Sequence, residues 1–175
     1  MIRTIRENGH LKPHIKDICE DEGIRVKVDS KLTEKDYAII KVDEYYNALK
    51  TNIPPSVDFI VSVDCVSDSY VLYLLEFRDV KRRKGLKPSE IREKFKTATG
   101  NFMEERFGCI FLNDKYKYKK IYAYLVHNRQ TGDNTYPKDT ARREMELFQE
   151  PQKFKNKEFL IKEINPEKLL IRRIT

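Results

Sequence analysis

Glu76 and Arg78 stand two residues apart at the end of the apolar run Tyr70-Val-Leu-Tyr-Leu-Leu75. Period-2 geometry puts both on one face of a strand, with Phe77 and Asp79 on the other. A carboxylate at the end of such a strand needs a partner. Upstream, Asp58 opens a second β-rich run that ends at Cys65, with Pro54-Pro55-Ser56 before it and Ser67-Asp68-Ser69 after it. A turn centred near Ser67 folds the two runs into an antiparallel hairpin in which Asp58 faces Glu76. Directly opposed residues have Cβ atoms about 4.5–5.5 Å apart, a separation that suits two carboxylates sharing one divalent cation. Asp64 lies on the same face but about 20 Å along the strand from Asp58, at about 3.3 Å per residue, too far to be the second ligand.

The elements that must hold these residues are marked unevenly. The run before Glu76 is apolar at every position, as in a strand buried on both faces of a sheet. The helix after the hairpin is capped by Ser89, carries Glu90 in its first turn, and repeats Ile91, Phe95, Ala98, Phe102 and Met103 at helical spacing. That stripe should pack on the sheet, with Arg92 and Lys94 flanking it and facing either the strand ends or water. Upstream, the pattern predicts a short helix over 12–22, an alternating strand over 24–28 and a longer helix over 33–50 started by Thr33. One side of that helix is apolar, through Ala38, Ile39, Val42, Tyr45, Tyr46 and Leu49, and Glu44 falls away from it. Asp43 and the run Glu20-Asp21-Glu22 stay open as further acids, with the solvated surface as the default for each. Downstream, a strand over 120–127, a polar loop over 128–138 and a helix from Asp139 or Thr140 to about Gln149 should follow. A terminal hairpin is expected from 159–164 and 169–174 about Asn165-Pro166. This order predicts one domain over 1–175, mixed α/β (α+β), with a central mixed sheet flanked by helices.

Charge adds a direction. Of 175 residues, 36% are charged, and the net charge of +7 favours a polyanionic partner. The densest basic cluster, Lys81, Arg82, Arg83, Lys84 and Lys87, follows the Glu76 strand directly, where Arg82, Arg83, Lys84 and Lys87 could draw in phosphates. The competing reading is a solvated loop. A second cluster, Lys115-Tyr-Lys-Tyr-Lys-Lys120, interleaves cations with rings able to stack on bases, though half-exposed strand ends have the same composition.

An acid at the start of one strand, the triplet Glu76-Phe77-Arg78 at the end of the next, and a helix after it resemble the PD-(D/E)xK nuclease superfamily, which includes many restriction endonucleases. The resemblance covers roughly residues 57–107. Asp58 matches the family's first acid, without an immediately preceding Pro, and Glu76-Phe77-Arg78 matches the (D/E)xK triplet with Arg where Lys is usual. What this implies is a restriction-endonuclease-like core, with Mg²⁺ (or Mn²⁺) held by Asp58, Glu76 and the Phe77 carbonyl. It also implies catalytic roles for Asp58, Glu76, Arg78 and Lys94. Arginine stays charged and cannot act as a base, so Arg78 would hold the attacking water or stabilise charge on the scissile phosphate. Alternatively the third role moves to Lys94 on the next helix, where related nucleases sometimes carry it, or catalysis is lost and binding remains. The implied activity is Mg²⁺-dependent endonucleolytic hydrolysis of DNA phosphodiester bonds by a restriction-type (type II) enzyme or subunit. Cutting both strands would take a homodimer or a partner subunit. The alternatives are a non-catalytic nucleic-acid-binding or regulatory protein on the same fold, and an RNA endonuclease.

Other chemistries find little in the chain. Cys19, Cys65 and Cys109 have no CxxC spacing and leave an odd thiol, which fits core thiols in a reducing, cytoplasmic compartment rather than zinc or a disulfide frame. His10 and His14 flank Pro13 without an HExxH context, and His127 stands alone near a strand end. Six glycines form no phosphate-binding loop, and no signal peptide or membrane-spanning run is present.

Overall fold

The computed structural model describes residues 1–79, 88–128 and 149–174. Arg82, Arg83, Lys84 and Lys87 lie outside the described residues, as does nearly all of the loop and helix expected over 128–149. The first half of the chain holds helix α1 (Ile2–Glu7) and strands β1 (Ile15–Lys16), β2 (Cys19–Asp21), β3 (Ile24–Val28) and β4 (Tyr37–Lys41). Helix α2 (Val42–Ala48) and the hairpin of β5 (Phe59–Asp64) and β6 (Ser69–Arg78) follow. Helix α3 (Pro88–Lys96) then runs into ten residues of π-helix, Thr97–Arg106, and a short α4 (Gly108–Phe111). The last strands are β7 (Lys117–His127), β8 (Gln152–Phe154), β9 (Lys157–Phe159), β10 (Ile161–Ile164) and β11 (Leu170–Ile171).

Six of these strands form a mixed sheet in the order β1-β4-β5-β6-β7-β10. Pairing is antiparallel from β1 to β6 and parallel from β6 to β7 and β10. The parallel step requires a crossover, which α3 and the π-helix supply. Tyr70, Leu72 and Leu74 pack with Ile91, Phe95 and Phe102 in one core, while Val71, Tyr73, Leu75 and Phe77 pack with Ile24, Val26 and Ile171 in another. Because both faces of β6 are covered, the strand has no polar residue before Glu76 except Ser69 at its start. The mixed α/β class, the helical stripe and β3 are as expected; α3 begins at Pro88, one residue before Ser89.

Three expected elements differ. Residues 12–22 form no helix beyond a 3₁₀ turn at Lys12–His14. Glu22 and Gly23 take positive φ, 50° and 75°, and fold Cys19–Asp21 back onto Ile24–Val28. Residues 33–50 are helical only from Val42: the Thr33 amide and hydroxyl donate to the Asp36 carboxylate and close a turn, after which β4 begins. Ile39 enters one core and Ala38 and Ile40 the other, so the apparent helical stripe is a strand buried on both faces. Finally, β10 and β11 do not pair with each other. β10 extends the main sheet beside β7 and β11 runs parallel to β3, joined by a 3₁₀ turn in which Asn165 Oδ1 accepts from the Glu167 amide. Ile161 of β10 is buried in one core and Ile171 of β11 in the other, against which Ile164 also packs. Cys19 and Cys65 are core thiols, whereas Cys109 is exposed.

Candidate functional site

The site lies where the hairpin's open end meets α3. The register of β5 and β6 runs from Phe59↔Leu75 to Asp64↔Tyr70, with Ser67 and Asp68 at positive φ in the turn, as the sequence predicts. Continued outward, it sets Asp58 opposite Glu76, and the Phe77 amide donates to Asp58 Oδ2 at 2.6 Å. Glu76 is fully buried and Asp58 keeps 9% of its surface. Lys94 Nζ reaches down from α3 to Glu76 Oε1 at 2.6 Å, and an Arg78 guanidinium nitrogen approaches the same oxygen at 2.5 Å. The helical stripe sets this geometry, since Ile91, Phe95 and Ala98 anchor the helix to the sheet and turn Lys94 toward the strand ends rather than to water. The other carboxylate oxygen, Glu76 Oε2, is buried and has no hydrogen-bond partner among the described residues. Asp64 lies at the opposite end of β5, beside the turn.

Burial dominates the electrostatics. It raises the Asp58 pKa to about 6, against the Phe77 hydrogen bond and the charges of Lys94 and Lys41. It raises that of Glu76 to about 8, reinforced by Asp58 and opposed by Lys94 and Arg78. Two cations at charge-assisted distances favour the ionised Glu76, while burial makes that charge costly. The pair thus consists of two buried, mutually repelling carboxylates, one of whose oxygens, Glu76 Oε2, is unsatisfied among the described residues.

Sequence reasoning left Asp21 and Asp43 open, with the solvated surface as their default, and did not place them on the other side of Asp58. Asp21 at the end of β2 and Asp43 at the start of α2 each bring a carboxylate oxygen toward Asp58, all within 4.8 Å of one another, and this group could hold a metal ion. Lys41 lies among them, hydrogen-bonded to Asp21 and 3.1 Å from Asp43. Burial alone would lower the Lys41 pKa, but the bond to Asp21 and the charges of Asp58, Asp43 and Asp21 hold it above its ordinary value. Recognising 37–41 as a strand would have revealed Asp43, because Lys41 pairs with Phe59 and so carries the next residues to Asp58. His127 is not isolated: it is the register partner of Arg78 on β7, and its Nε2 lies 3.4 Å from Glu163 Oε2.

Thus Asp58, Glu76, Arg78 and Lys94 are brought together, with Phe77 hydrogen-bonded to the first of them. No family model matches the chain, and neither curated proteins nor solved structures include a significant relative of it.

Proposed function

We propose that this protein is a Mg²⁺- or Mn²⁺-dependent endonuclease that hydrolyses DNA phosphodiester bonds, a restriction-type enzyme or a subunit of one. The observation that carries the reading is the state of Glu76: wholly buried, with Oε1 shared by Lys94 and Arg78, Oε2 unsatisfied among the described residues, and Asp58 close enough to oppose its charge. A purely structural ion pair buried this deeply would be expected to satisfy both oxygens. The donors fit a hard divalent ion, since Asp58 and Glu76 offer carboxylate oxygens and the Phe77 carbonyl would complete the protein's share of its ligands. When bound, such an ion lowers the pKa of coordinated water and screens phosphate charge.

The chain's own residues divide the remaining work. Lys94 and Arg78 present fixed positive charge to the oxygens that gain charge as water attacks phosphorus. Only Lys94 can also exchange a proton, because a guanidinium stays charged. The Phe77 amide holds Asp58 in place from beneath. An early acid, a Glu-x-Arg triplet and a following helix that delivers a lysine agree with the family resemblance. Arg82, Arg83, Lys84 and Lys87, next along the chain after β6, are assigned phosphate contacts on sequence position alone. Cleavage of both strands takes two such sites, hence a homodimer or a partner subunit. No helix among the described residues is long and apolar enough to cross a membrane. Free thiols fit the cytoplasm as its compartment.

One observation favours a second reading: the close Arg78–Glu76 pair would equally stabilise a nucleic-acid-binding or regulatory protein on this fold. The discriminating experiment compares a labelled DNA duplex with RNA of the same sequence, in Mg²⁺, in Mn²⁺ and in EDTA, for wild type and Glu76→Ala. Metal-dependent DNA cleavage that vanishes in Glu76→Ala while duplex binding survives is expected. Salt-sensitive binding without cleavage in either metal would favour the binding protein, and preferential RNA cleavage would favour a ribonuclease.

A further inference from the structure

The three-carboxylate cluster of Asp21, Asp43 and Asp58 has the spacing of a cation site, and a cation stands in it already. Lys41 donates to Asp21, lies 3.1 Å from Asp43, and sits 4.4 Å above the ring of Phe59. Two carboxylates and an aromatic face thus surround an ammonium that has three donors to place. The residue keeps only 7% of its surface, and its backbone is held in the sheet by the pairing of Lys41 with Phe59. It is therefore no mobile arm. Withdrawing it would leave three carboxylates facing one another, with Asp58 buried and Asp21 and Asp43 about one-third exposed, a mutual repulsion that another cation would relieve.

We infer that Lys41 is the chain's own cation at this position, so that the protein binds a single divalent ion, between Asp58 and Glu76, and excludes a second between Asp58, Asp21 and Asp43. This rests on the proposed role of Asp58 and Glu76 as the ligands of that ion. Asp58 belongs to both groups of acids, and the ammonium balances its far side without competing for Glu76. Lys41 is in this sense a positioning residue: it sets how many ions the site accepts and touches no substrate.

The test counts bound Mn²⁺ per chain by electron paramagnetic resonance, for wild type, Lys41→Arg, Lys41→Met, and Lys41→Met combined with Asp43→Asn. One ion is expected for wild type and for Lys41→Arg, two for Lys41→Met, and one again for the double variant. Two ions in wild type, or one in folded Lys41→Met, would overturn the inference while leaving the proposed function standing. No ion in wild type would instead refute Asp58 and Glu76 as ligands. If Lys41→Met does not fold in metal-free buffer, Mn²⁺ should restore its circular dichroism and melting transition, since an ion that binds only the folded chain stabilises it. A variant that stays unfolded in saturating Mn²⁺ also overturns the inference.

Discussion

Glu76 is buried where water cannot reach it, and its two oxygens have different fates. Lys94 and Arg78 share one of them, yet the two cations are not equivalent. Lys94→Met should lower single-turnover cleavage by about 10²–10³-fold, the usual effect of removing one preorganised electrostatic group. Arg78→Lys, which keeps a cation near Oε1, should stay within about tenfold of wild type; equal losses in the two variants would refute separate roles. The titration of the pair has a definite sign. Burial lifts Asp58 to about 6 and Glu76 to about 8, so the ion-free folded chain binds protons more tightly than the unfolded one. Their contribution to stability is complete below the ordinary carboxylate range near pH 4 and is lost as pH rises through those two values. Thermal melts without metal should therefore fall more steeply between about pH 5 and pH 8.5 for wild type than for Glu76→Gln. Added Mg²⁺, which binds ionised ligands, should raise the wild-type melting temperature more at pH 8 than at pH 6. Parallel melting curves for the two proteins would contradict this account.

The strand and the helix that meet at the site draw on different information. The register that opposes Asp58 to Glu76 was legible because turn residues near 67 and two β-rich runs leave little freedom in a short hairpin. The buried side of α3 was legible from the spacing of Ile91, Phe95 and Ala98, but the direction of Lys94 was not: a residue flanking that stripe can face water or the strand ends, and it is the contact with Glu76 that fixes it. Asp21, Asp43 and Lys41 were not legible, because each reaches Asp58 through a segment whose local pattern misleads. Ala38-Ile39-Ile40 is apolar on both faces of a strand, so its periodicity cannot distinguish strand from helix. The terminal segments failed for a related reason: an Asn-Pro turn between two apolar runs suggests a hairpin, whereas each run finds a better partner in a separate sheet. The helix that delivers Lys94 depends on its continuation. Phe102 is wholly buried among Tyr45, Tyr46, Phe107 and Phe111. Phe102→Ala should cost about 3–5 kcal/mol in urea denaturation. It should also slow cleavage in the variant that remains folded, by loosening the helix above Glu76; a cost below about 1 kcal/mol would mean that this cluster does not fix the helix.

Across the whole molecule, a mixed sheet covered on both faces brings one polar corner together from β2, β4, β5, β6, α2 and α3. A chain of net charge +7 carries that corner, where the acids Asp21, Asp43, Asp58 and Glu76 gather. Attraction of a polyanion by the surface and retention of a cation by the corner are compatible, because the first acts over about a Debye length and the second at contact. The most direct measurement is relaxation of supercoiled plasmid by wild type and Glu76→Ala, each with Mg²⁺ and with EDTA. We expect nicked or linear product from wild type with Mg²⁺ only, and none from a folded, DNA-binding Glu76→Ala. Intact plasmid in every lane, or equal product from both proteins, would contradict a nuclease centred on Glu76.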